Sequence, residues 1–312
     1  MLSPIILFVY NRPEHTQKTI EALSQNTLAC KSKLFIYSDA AKTPEQESNV
    51  HSVRNYIQAI SEKNLFDNVH IVERESNLGL AKSIVEGVTQ VINEFGKAIV
   101  LEDDLITSED FLSFMNESLE FYQNNNSIGS ISGYSPIENL PEDYTESVYL
   151  LPRSCSLGWA TWRDRWLQVD WDVADFDEFK ENKKKIKEFN RCGSDRFDRL
   201  KRQIEIGANS WSIRFGYWQF CANRLTVYSS QSRILNIGDD GSGVHDSSNA
   251  IYNTNFSNKA VQYILTEPEI DHKIIKLAHK CYSGGGLSRI ARYLRNNGFS
   301  RFESKIKKVF KK

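Results

Sequence analysis

The first hundred or so residues alternate short apolar runs with amphipathic segments, and this alternation most constrains the fold. Continuous apolar runs of four to six residues are typical of strands that are buried on both faces. These runs lie at residues 5–10, 34–37 and 98–101, and the segment 69–72 is apolar apart from His70. Between these runs, apolar residues recur at helical spacing over about 14–23, 50–60 and 77–95. The pattern predicts the α/β class, with a Rossmann-like, mainly parallel sheet flanked by helices.

The ends of the helices are also marked in this part of the chain. Asn77 is predicted to cap the third helix, and Gly96 is predicted to end it. Thr107, with Asp110 three residues later, is predicted to begin a fourth helix.

After residue 126 the regular alternation fades. Short strands are predicted at 128–132, 147–151 and 225–228, and a lysine-rich helix is predicted at about 179–189. We interpret the run Lys183–Lys185 as the solvated face of that helix. We expect one domain over 1–250, with halves at 1–125 and 126–250, and a C-terminal helical extension over 251–312.

Composition excludes several classes of protein. The formal net charge of −1 offers no global attraction to nucleic acid. The five cysteines are scattered and include no CxxC pair, which favours a reducing compartment. No apolar stretch approaches the roughly 20 residues that span a bilayer. We therefore expect a cytoplasmic protein that at most lies on the inner face of the cell membrane.

The chain becomes strongly basic from Leu287 onward. Ser300 and Glu303 are spaced as a capping box, and the following segment has apolar residues on one side and lysines around the rest. This pattern predicts a basic amphipathic helix that lies on an anionic membrane surface. A loosely ordered basic tail is the alternative.

Three acidic residues, Glu102, Asp103 and Asp104, directly follow the fourth apolar run. Carboxylates at the end of a buried strand repel one another and are costly to bury. A divalent cation would offset this charge, and hard oxygen ligands suit Mn²⁺ or Mg²⁺. Such an ion can bridge the phosphates of a nucleoside diphosphate. The alternative is that Asp103 and Asp104 are turn and helix-capping residues.

Six segments, taken in order, resemble GT-A glycosyltransferases. The nucleotide-binding half is similar over IILFVYNRPEHTQKTIEAL, YSDA, NLGLAKSIVEGVTQVI and AIVLEDDLITSEDFLSFM. Further on, SCSLGWATWRDRW resembles a Gly-Leu-Gly-Trp segment and NIGDDGSGVH resembles a glycine-rich loop. The chain most resembles the N-acetylglucosaminyltransferase I group, whose DXD motif has an EDD form, and related bacterial surface-polysaccharide (family 2-like) transferases. The resemblance extends over roughly residues 4–246.

The resemblance implies a role for each acidic residue of the site. Asp104 would be the direct metal ligand, and Glu102 and Asp103 would contact the sugar nucleotide. Asp39 would accept a hydrogen bond from the base, and Arg12 would lie beside the nucleotide or its phosphates. For Asp39 a turn residue is the alternative, and for Arg12 a loop salt bridge.

The glycine-rich loop is expected to close over the diphosphate. Gly241 and Gly243 would let backbone N–H groups approach the phosphates. In many GT-A enzymes a late histidine completes the metal shell, and His245 is the best placed here. A structural histidine is the alternative.

An inverting transferase needs a base that deprotonates the acceptor hydroxyl. The resemblance points to the window 211–214, which contains no carboxylate. Glu205 and Asp164 are our candidates for this base, and Asp170, Asp195 and Asp198 are further alternatives. Six tryptophans fall in the middle of the chain. We expect one or two to line an acceptor cleft and the others to fill core.

The leading hypothesis is therefore a metal-dependent hexosyl- or N-acetylhexosaminyltransferase. It would move a sugar, with inversion, from a nucleoside diphosphate donor, foremost a UDP-sugar, to a lipid-linked or other surface glycan. A nucleotidyltransferase acting on sugar phosphates is an alternative, although no glycine- and lysine-rich N-terminal phosphate loop is present. A glycan- or nucleotide-binding module that lacks the base is another alternative.

Overall fold

The computed structural model describes residues 1–238 and 255–283. The four predicted N-terminal strands are confirmed, and so are the three helices between them. The strands are β1 (Ile5–Val9), β2 (Lys33–Ser38), β3 (Asn68–Glu73) and β4 (Lys97–Glu102). The helices are α1 (Pro13–Ser24), α2 (Glu47–Ser61) and α3 (Leu80–Phe95).

The second half of the chain adds shorter elements. The strands are β5 (Leu105–Thr107), β6 (Ile128–Ser132), β7 (Val148–Leu151), β8 (Trp159–Trp162), β9 (Leu225–Ser229) and β10 (Ile234–Asn236). The helices are α4 (Phe111–Phe121), α5 (Arg163–Trp166), α6 (Phe176–Glu181), α7 (Lys183–Phe189), α8 (Arg196–Ile206), α9 (Trp211–Cys221) and α10 (His272–Ser283).

Eight of these strands form one mixed sheet in the order β3-β2-β1-β4-β8-β6-β9-β7. The first four are parallel to one another, as predicted. β8 is antiparallel to both of its neighbours, β6 and β9 are parallel, and β7 is antiparallel to β9. β5 and β10 form a separate antiparallel pair beyond the end of β4. The carboxyl ends of β1, β2 and β4 therefore meet at one edge.

Hydrophobic side chains cover both faces of this sheet. Along β1, Ile5, Leu7 and Val9 point to a core shared with α1, α2 and α4. Ile6 and Phe8 point to the opposite core, where they pack with α3 and α9. This alternation is the side-chain geometry of a strand, and helices on both faces explain why β1 is apolar at every position.

Three predicted helix boundaries are wrong. Asn77 does not cap α3, because its side chain instead donates to the Ala40 carbonyl at 2.7 Å and Gly79 precedes the helix. Thr107 ends a strand, since β5 pairs with β10, and α4 begins only after Asp110. The lysine-rich helix is two helices, because Asn182 breaks it and its side chain caps the second at the Lys185 N–H.

Residues 255–283 pack against the main body. Ile274, Ile275 and Ala278 of α10 are buried in the same core as β1. The Tyr122 hydroxyl donates to the Thr266 carbonyl. The division into 1–250 and 251–312 stays a prediction, and the predicted basic helix beyond residue 300 lies outside the described residues.

No helix within residues 1–238 or 255–283 combines the length and the apolar character that crossing a bilayer requires.

Gly96 ends α3 as predicted, and its backbone gives a stability test. Its φ of 79° is left-handed, and a Cβ at this position would meet no atom within 4 Å. Gly96→Ala should therefore destabilise the fold by about 1–2 kcal/mol through backbone strain alone. Gly96→Asn should cost less, because Asn tolerates this conformation. Chemical denaturation measures both, and equal costs for Ala and Asn would contradict the account.

Candidate functional site

The candidate site lies at the edge where β1, β2 and β4 end. Phe8 pairs with Glu102 across β1 and β4, and Val9 pairs with Ser38 across β1 and β2. The residues that follow these three strands are therefore neighbours in space. In open α/β sheets, this carboxyl edge is where ligands bind.

Arg12 connects the first loop of this edge to the acidic turn. One guanidinium nitrogen, Nη2, donates to the Asp103 carboxylate and to Asp104 Oδ2, the latter at 2.8 Å. Burial opposes the arginine charge, but the two neighbouring carboxylates outweigh it and raise the pKa of Arg12. The structure thus brings Arg12, Asp103 and Asp104 together in a salt-bridge cluster, which was the alternative stated for Arg12, and its predicted place beside the nucleotide stays a prediction.

The acidic turn has more negative charge than Arg12 can balance. Burial raises the pKa of Glu102 to about 8, and the charges of Asp104 and Asp103 add to the shift. Burial also raises the pKa of Asp103, despite its pairing with Arg12. One arginine facing three carboxyl groups leaves an environment in which a divalent cation would be stabilised.

A buried hydroxyl holds the turn in place. Thr19 of α1 donates through Oγ1 to the Asp103 carbonyl at 2.9 Å and accepts from the Leu105 N–H at 3.1 Å. Its side chain is fully buried. Thr19 therefore satisfies two backbone groups that the change of direction after β4 would otherwise leave unpaired.

The chain after β10 passes directly over Asp104. The Ile237 N–H donates to the Asp104 carbonyl at 2.9 Å. A Cβ at Gly238 would collide with the Asp104 carboxylate, so this close approach requires glycine. The predicted glycine-rich loop thus starts in contact with the acidic turn. Gly241, Gly243 and His245 lie outside the described residues.

Asp39 joins the loop that follows β2 to the loop that precedes α3. Its carboxylate accepts hydrogen bonds from the N–H groups of Ala40, Leu78 and Gly79, at 3.0, 2.9 and 2.9 Å. A carboxylate has about four acceptor positions, so about one remains for a ligand. Asp39 therefore has a structural role at the site edge, because it holds two loops together. About one acceptor position of its carboxylate is left for a ligand N–H.

A cavity of about 570 Å³ adjoins this loop. It is lined by the residues after Asp39, by the first turns of α2 and by the loop after β3, namely Ala40, Ala41, Glu47, Ser48, Val50, His51, Arg54 and Glu75.

Within residues 1–238 and 255–283, no three His, Cys, Asp or Glu side chains converge as a ready metal site. Successive residues after a strand project in different directions, so three adjacent carboxylates do not all face one ion. The oxygen donors nevertheless suit Mn²⁺ or Mg²⁺, and excess negative charge favours either ion. The site fits a cation held by one protein carboxylate with other ligands completing the shell.

The structure does not bring Asp164 to the acidic turn. β8 is antiparallel to β4 and Trp162 pairs with Lys97, so Asp164 follows at the opposite end of β4. The strand places it roughly 16 Å away, at about 3.3 Å per residue. There Asp164 forms an ion pair with Arg165 at 2.7 Å. It cannot deprotonate a group bound at Asp104.

Glu205 lies on the solvent-exposed face of α8. Its nearest cation is Lys201, one helical turn away at 3.8 Å. The window 211–214 opens α9, and Arg214 there donates to the Ser210 and Trp171 carbonyls. The window itself contains no carboxylate, and Glu205 as a catalytic base stays a prediction.

The tryptophans are mostly core, as expected for large aromatic residues. Five are at most 8% exposed, and Trp159 stacks on Trp211 with ring centroids 4.8 Å apart. Trp171 is the one that is only partly buried. The sequence alone did not indicate Thr19 as a site residue, because a threonine in a helix is an ordinary residue. Gly238 was expected as the first glycine of the loop that closes over the diphosphate.

No protein-family model matches this chain, and no curated protein matches it in sequence. Solved structures of TarS from S. aureus are similar. TarS 1–349 aligns with a TM-score of 0.41 and 13% identity, covering 75% of this chain and 60% of that one. A longer TarS structure aligns with a TM-score of 0.46 and 11% sequence identity, and the alignment covers 77% of this chain and 37% of that one. The complex of TarS 1–349 with UDP-GlcNAc aligns with a TM-score of 0.41 and 12% sequence identity, and the alignment covers 74% of this chain and 57% of that one. This chain therefore spans about a third to three fifths of the TarS chains.

Thr19→Val tests the support of the acidic turn. The change keeps the shape but removes both hydrogen bonds, so we expect a loss of about 2–3 kcal/mol in the free energy of unfolding. Thr19→Ser keeps the hydroxyl and should lose less than half as much. Urea denaturation at neutral pH provides the comparison, and equal losses for the two variants would refute the role of the hydroxyl.

The raised pKa of Glu102 predicts a pH dependence of stability for the ligand-free protein. The folded protein holds this proton up to about pH 8, whereas a glutamate in the unfolded chain releases it near 4.5. The free energy of unfolding should therefore fall as the pH rises from about 5 to 8, by up to about 1.4 kcal/mol per pH unit from this group. Glu102→Gln should flatten that slope. A slope in the variant as steep as in the wild type would show that Glu102 does not titrate there.

Proposed function

We propose that this chain is a glycosyltransferase of the GT-A type that uses a nucleoside diphosphate sugar and a divalent cation. One observation carries the proposal: Arg12, Asp103, Asp104 and Gly238 are in direct contact at the carboxyl edge of β1 and β4. The same residues were indicated, in the same order along the chain, by the resemblance to the N-acetylglucosaminyltransferase I group and bacterial surface-polysaccharide transferases.

The cation in this proposal is Mn²⁺ or Mg²⁺, with Asp104 and His245 as its protein ligands. When bound, it would supply positive charge to the diphosphate as the bond to the sugar breaks. Asp104 suits this role, since its carboxylate is partly exposed and lies beneath the start of the glycine-rich loop. In this proposal Arg12, which contacts Asp104, also reaches a phosphate oxygen.

The other residues of the edge bind and orient the donor. Backbone N–H groups at Gly241 and Gly243 face the diphosphate in this proposal. Asp39 uses its remaining acceptor position for the nucleotide base, and the adjoining cavity offers room for that base. Glu102 and Asp103 contact the sugar nucleotide. A UDP-sugar is the donor we propose, with a hexose or N-acetylhexosamine as the transferred group.

The acceptor in the proposal is a surface polysaccharide or oligosaccharide, with a lipid-linked glycan as the leading form. The basic C-terminal segment of the chain would hold the protein at the inner membrane surface. The resemblance implies inversion at the anomeric carbon. Of the two candidates for the base that inversion needs, Asp164 follows β8 at the opposite end of β4, which leaves Glu205 as the candidate in this proposal.

A second function is favoured by the side chains around Trp211. Arg214 occupies the window in which the resembling group carries its base, and it is bound to two backbone carbonyls. A module that binds a nucleotide sugar without turning it over would have this arrangement. Calorimetry would then show donor binding, whereas an assay of nucleoside diphosphate release with a glycan acceptor would show no turnover.

Asp104→Asn tests the enzymatic proposal. The change removes one negative charge with almost no change of shape, and we expect turnover of the donor to fall at least about 100-fold, as when an electrostatic group is lost from an active site. A chelator should abolish the activity of the wild type, and Mn²⁺ should restore it. Release of nucleoside diphosphate from UDP-sugars is the measurement.

Asp67→Asn is the matched control, because Asp67 is exposed and lies at the amino end of β3, away from the carboxyl edge. This control should keep wild-type turnover. Full activity of Asp104→Asn, or of the wild type in chelator, would exclude the metal mechanism.

A further inference from the structure

A second cavity, of about 470 Å³, lies far along the chain from the acidic turn. One wall is the 3-10 turn Asn190–Cys192, which follows α7, and the other is one face of α10. Its lining residues are Arg191, His272, Ile275, Lys276 and His279. Four of these five side chains can carry positive charge. The cavity beside the Asp39 loop differs, because its lining includes both acidic and basic side chains.

The sequence of α10 places the polar residues together. His272, Lys276 and His279 are spaced by four and three residues, so they lie on one side of the helix. Ile275 is buried and forms the apolar floor between them. Because Ile275 also belongs to the main hydrophobic core, this face of α10 is held in a fixed position.

Two hydrogen bonds orient the imidazole rings. Arg191 Nη2 lies 2.8 Å from His272 Nδ1. Arginine can only donate, so His272 Nδ1 accepts and the ring proton is on Nε2. His279 Nδ1 lies 3.2 Å from the Arg191 carbonyl, so that nitrogen donates and Nε2 is left for another partner.

These cationic groups have no carboxylate of their own. Within residues 1–238 and 255–283, no ion pair involves Arg191, Lys276 or either histidine of the cavity. Arg153, close to this turn, shows the contrast: it is buried and paired with Asp195 at 2.8 Å. α7, which precedes this turn, carries four exposed lysines (Lys183, Lys184, Lys185 and Lys187) and one exposed glutamate, Glu188, so its net charge is positive.

We propose that this cavity binds a phosphate group through Arg191, His272 and Lys276, with His279 closing the site. Guanidinium and ammonium groups are strong donors to phosphate oxygens, and His272 offers a further N–H. The same charges would repel a metal ion. The phosphate could belong to a lipid headgroup or to a soluble phosphate compound, since both present the same oxygens. This site is independent of the proposed transferase site.

The test uses the full chain with ¹⁵N-labelled histidine and inorganic phosphate as the probe. The six imidazole rings are assigned by single His→Gln variants and followed by NMR. Phosphate should shift the resonances of His272 and His279 in a saturable manner. In the double variant R191Q/K276Q the dissociation constant should rise at least about tenfold, the loss expected from a charge-assisted hydrogen bond.

The double variant K31Q/K63Q removes the same charge from exposed positions elsewhere and should bind as the wild type does. Circular dichroism checks that both variants are folded. The proposal is overturned if the two rings do not respond to phosphate, or if R191Q/K276Q binds as tightly as K31Q/K63Q. Shifts confined to other rings would assign phosphate to another site and would also overturn it.

Vesicles distinguish the two sources of phosphate. Binding to phosphatidylglycerol vesicles, compared with phosphatidylcholine vesicles, is measured by co-sedimentation for the wild type and both double variants. A loss confined to R191Q/K276Q supports a lipid headgroup. Equal binding of both variants to vesicles, together with the NMR response to phosphate, supports a soluble phosphate compound.

Discussion

The structure of the candidate site depends on an imbalance of charge at the end of β4. Glu102, Asp103 and Asp104 lie together where a buried strand leaves the sheet, and Arg12 is the one cation among the described residues that pairs with them. Burial and mutual repulsion raise the pKa of Glu102 and of Asp103, so the ligand-free edge is strained electrostatically. Such a cost is expected where a cationic ligand is to be bound.

The fold supports this charged edge with a few buried groups. Thr19 fixes the turn through two backbone hydrogen bonds, and Asp39 fixes the neighbouring loop through three. β10 pairs with β5, and the chain that follows β10 places Gly238 in contact with Asp104. Residues far apart in the sequence are therefore assembled around one carboxylate.

Much of this could be predicted from the sequence, and the rest could not for identifiable reasons. The parallel strands were predictable since both of their faces are apolar, and the acidic turn was conspicuous because it directly follows one of them. β8 was missed, since Trp159–Trp162 reads as part of an aromatic segment, and its antiparallel direction is what separates Asp164 from the site. α8 was missed because its polar face is broad, and only tertiary packing reveals it, whereas α10 lies within the predicted helical extension. Thr19 was missed because its partners are backbone groups, which no side-chain pattern records.

The central claim is that nucleotide diphosphate and divalent cation bind together at the acidic turn. Thermal shift with UDP-, GDP-, dTDP- and CMP-sugars, each with and without Mn²⁺, tests it most directly. A ligand that binds the folded state alone raises the melting temperature by mass action. The account predicts that one nucleoside diphosphate sugar stabilises the protein by several degrees (about 3–6 °C) with Mn²⁺ and much less without it. Absence of stabilisation by every donor, or stabilisation that is the same in chelator, would contradict the account.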